Sequence, residues 1–389
     1  MTPWETMERI EHFFLRSPME IEIRSLKKSD ELTEQAVLTC FSSEKYYFGK
    51  GLNSVEAQIG ACLEFVERRL GGLLLDDKLI EATYGSVVSQ ARDPEAFSPA
   101  YGKFKKNRTI DWVWGYSLTE KESVLVPANL VFFPYEVQNR EKYIAWDDSN
   151  GLAAATVLED AILHGLLEII ERDAVMISEY NRLPLVDLSL DSLSGEIKVL
   201  LDRLKMKGFR FTAKKLTIDH SLHVVLFFLR HKNEKANCSV AFGCHLDPVL
   251  AISRAVTEAI QLLPPSAGHE EWLLSDFPQR YEAASETTIS IENLPDLSSD
   301  DQLMNIERCT KELRKIGAEV IVVDLSVPDT PFAVVRVLAT GLQPILREGD
   351  RRVSRRFFDF AKKSQEKDLY SFTTAGEIKI EPLVGYGIG

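Results

Sequence analysis

Four glutamates at matched spacing are the residues best placed to do chemistry. Glu64 and Glu67 lie in the string LEFVERR, Leu63 to Arg69, and Glu168 and Glu171 lie in LEIIERD, Leu167 to Asp173. Each string follows a glycine-containing segment, GKGLNS in the first case and SNGLAA in the second. Carboxylates three residues apart on a helix stand roughly 6 Å from each other and repel by on the order of 3 kcal/mol at an effective dielectric of 20. Bringing two such pairs together multiplies that cost unless a cation lies between them. Hard oxygen ligands at helical spacing suit Mg2+, which keeps part of its water and commonly shares its shell with nucleotide phosphates. The competing reading involves no chemistry: Glu64 with Arg68 and Glu168 with Arg172 are i,i+4 pairs, each able to stabilise an exposed helix by ~0.3–0.5 kcal/mol.

The neighbours of these glutamates extend both readings. At 100° per residue, Leu163, Leu166, Leu167, Ile170 and Ala174 share one helix face, and His164, Glu168 and Glu171 form the adjoining stripe. Thr156-x-x-Glu159 has the form of a capping box opening that helix, and Asn53 or Ser54 is placed to cap the first one. Lys50, in FGKGLNS, is either a phosphate contact or a surface lysine. Neither glycine segment fits G-x-x-x-x-G-K-[ST], which argues against a conventional P-loop enzyme. A third stretch, GCHLDPVLAISRAVTEAIQ, puts Arg254, Glu258 and Gln261 on one helical face, opposite Leu250 and Val256, where they could reach a common ligand.

The elements that must position these groups are of both kinds. EKYYFGKG, DWVWGYS, ESVLVPANLVFF, LHVVLFFLR, CSVAFGC, AEVIVVDLS and FAVVRVLA read as strands, while 54–70, 157–181, 193–207, 248–262 and 301–316 have helical periodicity. The fold class is therefore mixed α and β. The stretch 264–300, with its proline pair, serines and acidic ENLPDLSSDD, reads as an excursion between elements. No clean linker appears, which favours one composite domain. The repeated L-E-x-x-E-R after a glycine loop suggests a duplicated half-site whose helices meet near a pseudo-twofold axis.

Bulk composition excludes several classes. The chain has 389 residues, 45% hydrophobic, and a net charge of −13, so a general affinity for nucleic acid or anionic membrane is not expected. Five cysteines, with no CxxC pair and one left over, fit neither a disulfide framework nor a zinc knuckle and point to reduced thiols. The N-terminal MTPWETMERIEHFFLRSP has no signal-peptide core, and no apolar run approaches membrane-spanning length, so a cytoplasmic location is expected.

From about Phe48 to Leu342 these strings resemble the YcaO family. SNGLAAATVLEDAILHGLLEIIERDA is similar to the family's principal signature, GKGLNSVEAQIGACLEFVERR and DPVLAISRAVTEAIQ to two others, and VVDLSVPDTPFAVVRVLATGLQPI to its late strand–loop–strand, all in the family's order. The resemblance implies a lead-in segment at 1–47, a catalytic domain at 48–345 and a tail at 346–389. It also implies ATP and Mg2+ as cofactors, with Glu64, Glu67, Glu168 and Glu171 holding the metal ions. Glu159, Arg172 and Arg254 would contact the nucleotide or its metals, with Lys50, Glu258 and Gln261 also on the nucleotide side. Two departures, Gly60 where a serine is usual and Thr156 where an asparagine is usual, put those individual contacts in doubt.

The implied activity is phosphorylation of a peptide amide oxygen after attack by a nucleophile. A neighbouring side chain gives an azoline, an external sulfide a thioamide, and an internal amide an amidine. Azoline-forming members typically end in a proline-rich tail, whereas this chain ends IEPLVGYGIG with only Pro382, which favours thioamidation of a peptide or protein substrate with a TfuA-type sulfur-delivery partner. A homodimer is one possible assembly. A non-catalytic ATP-binding subunit and a ligase-like enzyme making an acyl phosphate from a free carboxylate are the readings from other classes.

Overall fold

The computed structural model describes residues 2–14, 21–26, 34–40, 45–74, 78–97, 104–216, 218–233, 238–263, 277–345, 353–363, 371–372 and 378–379. Helix α1 (Pro3–Phe14) precedes β1 (Ile21–Leu26), β2 (Glu34–Cys40) and β3 (Lys45–Gly51), which form an antiparallel sheet in chain order. On β3, buried Tyr47 alternates with exposed Tyr46 and Phe48, and the buried face joins Ala36, Leu38 and Phe65 in a core under α2 (Ser54–Leu70). Asn53 caps α2 as its residue type predicts, its side chain accepting from Glu56 N at 3.0 Å.

A six-stranded sheet holds β4 (Ile80–Thr83), β5 (Thr109–Ser117), β13 (Val320–Asp324), β14 (Ala333–Ala339) and β7 (Leu152–Ala155) in that order, with β6 (Glu122–Pro127) on β5. The single turn α3 (Tyr84–Val87) follows β4. The strand expected over ESVLVPANLVFF stops at Pro127 and gives way to a 3-10 turn at Ala128–Leu130. Proline has no N–H to continue the ladder.

A five-stranded sheet runs β11 (Cys238–His245), β10 (His223–His231), β9 (Phe209–Leu216), β8 (Leu185–Ser189) and β12 (Thr288–Ser290), parallel only at its last pair. Its two faces meet different helices. Val224, Leu226 and Phe228 of β10 join the core around α4 (Leu158–Tyr180), while Val225, Phe227 and Leu229 join the core of α5 (Gly195–Met206) and α6 (Pro248–Gln261). Helix α4 is thus walled by both large sheets, and α8 (Gln302–Lys315) and α9 (Arg355–Lys363) close the same core.

The described part of the expected excursion, from 277 onward, is more ordered than its composition suggests. It contains α7 (Phe277–Glu282) and β12, and two buried polar groups tie it down. Tyr281 donates to Glu179 at 2.7 Å, and the Lys214 ammonium donates to Asp187, to Ala283 O at 2.8 Å and to Ser285. All five cysteines are buried. No described helix is long and apolar enough to cross a membrane. The tail IEPLVGYGIG lies outside the described residues.

Candidate functional site

Three strand–helix units of one design build the site: β3 with α2, β7 with α4, and β11 with α6. Their N-caps are Asn53, Val157 and Asp247. Four and eight residues beyond each N-cap stand Ala57 and Ala61, Ala161 and Gly165, Ala251 and Ala255, all buried where helix meets strand. The approach is close: a Cβ at Gly49 would fall 1.9 Å from Ala57 O, and one at Gly243 would fall 2.2 Å from Ala251 O. Seven, eleven and fourteen residues beyond the caps come Gly60, Glu64 and Glu67; His164, Glu168 and Glu171; and Arg254, Glu258 and Gln261. Steps of four and three keep each set on one helix face. The two-copy pattern read from L-E-x-x-E-R therefore extends to a third helix.

The carboxylates are brought together. Glu64 accepts from Phe48 N at 2.7 Å, and Glu168 accepts from Gly151 N at 3.1 Å and pairs with Arg172 at 3.6 Å. Burial pushes Glu67 up to about 8; Arg68 and Arg336 pull it down, and the like charges of Glu168 and Glu64 push it further up. Glu168 is raised as well, by burial above all, with Glu171 as the repelling neighbour. Arg68 pairs with Glu67 at 3.7 Å rather than with Glu64 as the i,i+4 spacing suggested, because Glu64 turns to the strand N–H.

The cations lie across the same cleft. Lys50 is ion-paired with Glu258 and is no surface lysine: burial pushes it down to about 7, against the pull of Glu171, with Arg254 and Arg172 pushing the same way as burial. Arg254 donates to Cys244 O at 3.2 Å and lies 3.4 Å from His164 Nδ1. The His164 ring is open to solvent yet sits deep among protein atoms, and that setting, with Arg254 and Lys50, lowers its pKa.

Some expectations change. Helix α4 starts at Leu158 with Val157 at the N-cap and no side-chain capping bond, so Thr156 and Glu159 do not form the box their spacing suggested. Glu159 lies nine residues before Glu168, about 13 Å along the helix, apart from the carboxylate cluster. Val256 is buried, but Leu250 is 46% exposed; four residues before Arg254, it shares that residue's face rather than opposing it.

Sequence reading missed Arg336, Asp148 and Asn150. Buried Arg336 of β14 donates to Asp148 O and Oδ1, both at 2.8 Å, and its charge bears on Glu67 and Glu168. An arginine inside the otherwise apolar FAVVRVLA was the available signal, since a buried cation requires a partner.

Does this set fit a divalent cation and phosphate? Among the described residues no three His, Cys, Asp or Glu side chains converge tightly enough to form a cage alone. The oxygen-only donors, the mutual repulsion at Glu67 and the unpartnered buried Asn150 Oδ1 suit Mg2+ that completes its shell with phosphate and water. The residues fit the pair.

The fold and cleft define a mixed α/β protein with three repeated strand–helix units around an acidic centre rimmed by arginines. The family model for the YcaO cyclodehydratase, ATP- and Mg2+-binding, matches residues 48–343, and the chain belongs to the YcaO family. An uncharacterized protein of Methanothermobacter thermautotrophicus is 30% identical over 328 residues, 80% of this chain and 84% of that protein. An uncharacterized protein of the tfuA 3′ region of Rhizobium leguminosarum bv. trifolii is 27% identical over 326 residues, 76% of each chain. Among solved structures, YcaO from Methanopyrus kandleri bound with AMPPCP and Mg2+ matches with a TM-score of 0.74 and 25% identity, over 91% of this chain and 94% of that one. A heterocyclase in complex with substrate and cofactor shares the fold with a TM-score of 0.78 and 24% identity over 88% of this chain, which spans about half (53%) of that protein's length.

Proposed function

We propose that the chain holds Mg·ATP between α2, α4 and α6 and uses it to activate a backbone amide of a peptide or protein, with a thioamide as product. The observation that carries the nucleotide site is the meeting of Glu64, Glu67, Glu168 and Glu171 with Lys50, Arg172 and Arg254 in one cleft. In this reading the four glutamates hold Mg2+, Arg172, Arg254 and Lys50 face the phosphates, and Glu159, Glu258 and Gln261 border the nucleotide. When bound, Mg·ATP supplies the phosphoryl group that turns an amide oxygen into a leaving group. The chain contributes positioning and charge. The guanidinium forks of Arg172 and Arg254 suit phosphate geometry, and their fixed placement needs little reorganisation as charge moves.

One feature supports sulfur as the incoming atom: the similarity to a protein of a tfuA region. The exchange balances when hydrosulfide supplies the sulfur and the amide oxygen leaves on phosphate. A TfuA-type partner would deliver that sulfur.

The test combines variants with product mass. Glu168→Gln and Glu64→Gln should each abolish ATP turnover with an unchanged circular dichroism spectrum; normal turnover in either would remove the metal assignment. Release of ADP and phosphate, rather than AMP, is expected with peptide. With ATP, Mg2+, sulfide and a TfuA-type partner, one carbonyl oxygen of the peptide should be replaced by sulfur. Loss of one water with closure of a side chain onto the backbone would identify an azoline product and overturn the thioamide.

A further inference from the structure

The back of α4 carries a carboxylate that the cleft does not use. Asp173 directly follows Arg172 and is 1% exposed. At 100° per residue it lies about 200° round the helix from Glu171 and about 140° from Glu168, so it points away from the cleft. Around it are Ile170, Ala174 and Ile177 of the main apolar core. An unpaired carboxylate in such a place costs several kcal/mol.

Its partners come from the segment after β14. Gln343 N donates to Asp173 Oδ1 at 2.8 Å, and Arg356 Nη2 of α9 lies 3.2 Å from Oδ2. The Gln343 side chain accepts from Ser354 N at 2.8 Å, and Ser354 Oγ accepts from Phe357 N at 3.1 Å. The first turn of α9 is thereby fixed beside Asp173. Arg356 also pairs with Asp219 and lies over the Phe360 ring at 5.3 Å. Phe357 is fully buried and its ring packs against Tyr180 of α4 at 6.1 Å.

Apolar packing through Phe357 and Ala361 would hold α9 without a buried ion pair. Arg356 Nε and Nη1 are buried with no hydrogen-bond partner, so the guanidinium does not gain full bonding from its position. What the position does achieve is the contact with Asp173, two residues beyond Glu171. Arg356 lies outside the span matched by the family model, which ends at residue 343.

We propose that Arg356 is a positioning residue for the cleft: through Asp173 it fixes the rotation of the α4 turn that carries Glu171 and Arg172. The inference rests on the reading that these two residues meet Mg·ATP. A helix rotation of about 15° moves a carboxylate about 6 Å from the axis by roughly 1.5 Å, beyond the ~0.5 Å tolerance of a productive site. Removing Arg356 leaves Asp173 buried beside apolar groups, and α4 relieves that state most directly by turning.

The experiment titrates the full-length protein with Mg·AMPPCP by calorimetry, well below each variant's measured unfolding midpoint. Arg356→Met, close in volume and uncharged, should raise the Kd about tenfold or more, and Arg356→Lys should recover most of the affinity. An unchanged Kd in Arg356→Met, with only the midpoint lowered, would make Arg356 a plain anchor of α9 and overturn the proposal. If Arg356→Met does not fold, Asp173→Asn serves, since it keeps an acceptor for Gln343 N and removes the charge that draws Arg356; an unchanged Kd there overturns the proposal equally. Glu168→Gln is titrated alongside. Unchanged affinity in Glu168→Gln would sink the nucleotide-site reading, whereas loss there with parental affinity in the Arg356 variants would sink only the positioning role.

Discussion

Glu67→Gln should stabilise the nucleotide-free protein while destroying its function. The Glu67 carboxyl is raised from 4.5 to about 8, burial first and the charges of Glu168 and Glu64 after it. Because the folded value lies above the unfolded one, the native state binds more protons between them. This contribution is therefore full below about pH 4.5 and is lost as pH rises toward 8. At pH 7 the loss covers about 2.5 pH units at ~1.4 kcal/mol each, or roughly 3.5 kcal/mol, an upper bound because the side chain keeps 17% of its exposure. A glutamine of the same shape carries no such penalty. Urea denaturation in EDTA at pH 5, 7 and 8.5 should show the variant gaining on the parent as pH rises, with little difference at pH 5. Added Mg·ATP should stabilise the parent by mass action and leave the variant unmoved. Parallel stability–pH curves for the two proteins would refute the reasoning, because they would mean that Glu67 titrates alike in the folded and unfolded chains.

Arg254→Lys keeps the charge but loses the fork, and Mg·ATP binding should weaken by roughly 1.5–3 kcal/mol, nearly as much as in Arg254→Ala; a parental Kd in the lysine variant would remove Arg254 from the phosphates. His220 is buried with neither ring nitrogen hydrogen-bonded, and burial lowers it to about 3. The unfolded chain therefore takes up this proton first as pH falls below 6.5, and the parent should lose about 1.4 kcal/mol of stability by pH 5.5 that His220→Leu does not lose. Equal acid sensitivity in the two would count against this. Asn53→Ala removes the α2 cap and should lower stability by ~1 kcal/mol in denaturant titrations, whereas Asn53→Gly should cost only a few tenths.

Local patterns were legible where a short stretch carries its own signal. The 3.6-residue stripe of Leu163, Leu166, Leu167 and Ile170 foretold a helix over 157–181, observed at Leu158–Tyr180, and its buried face. Asn53 announced the start of α2, and the apolar runs LHVVLFFLR and CSVAFGC became paired strands of one sheet. Weak strands escaped notice: β7 is LAAA, without a β-branched residue, and β9 is FRFTAKKL, with lysines that a solvated loop would also carry. Their strand state comes from the neighbours they pair with, Ala333–Arg336 for β7 and β10 for β9.

The sequence alone determined which side chains share a helix face, because backbone geometry converts spacing into direction without regard to the rest of the chain. That was enough to align Glu64 with Glu67, Glu168 with Glu171, and Arg254 with Glu258 and Gln261. Only the tertiary structure decided that the three faces meet, that Glu67 holds its proton to about pH 8, that Lys50 pairs with Glu258, that Arg336 of β14 brings its charge to Glu67 and Glu168, and that Arg356 of α9 reaches Asp173 on α4. Those properties depend on burial and on charges brought close through space, and a pairing such as Asp173 with Arg356 leaves no trace in local spacing.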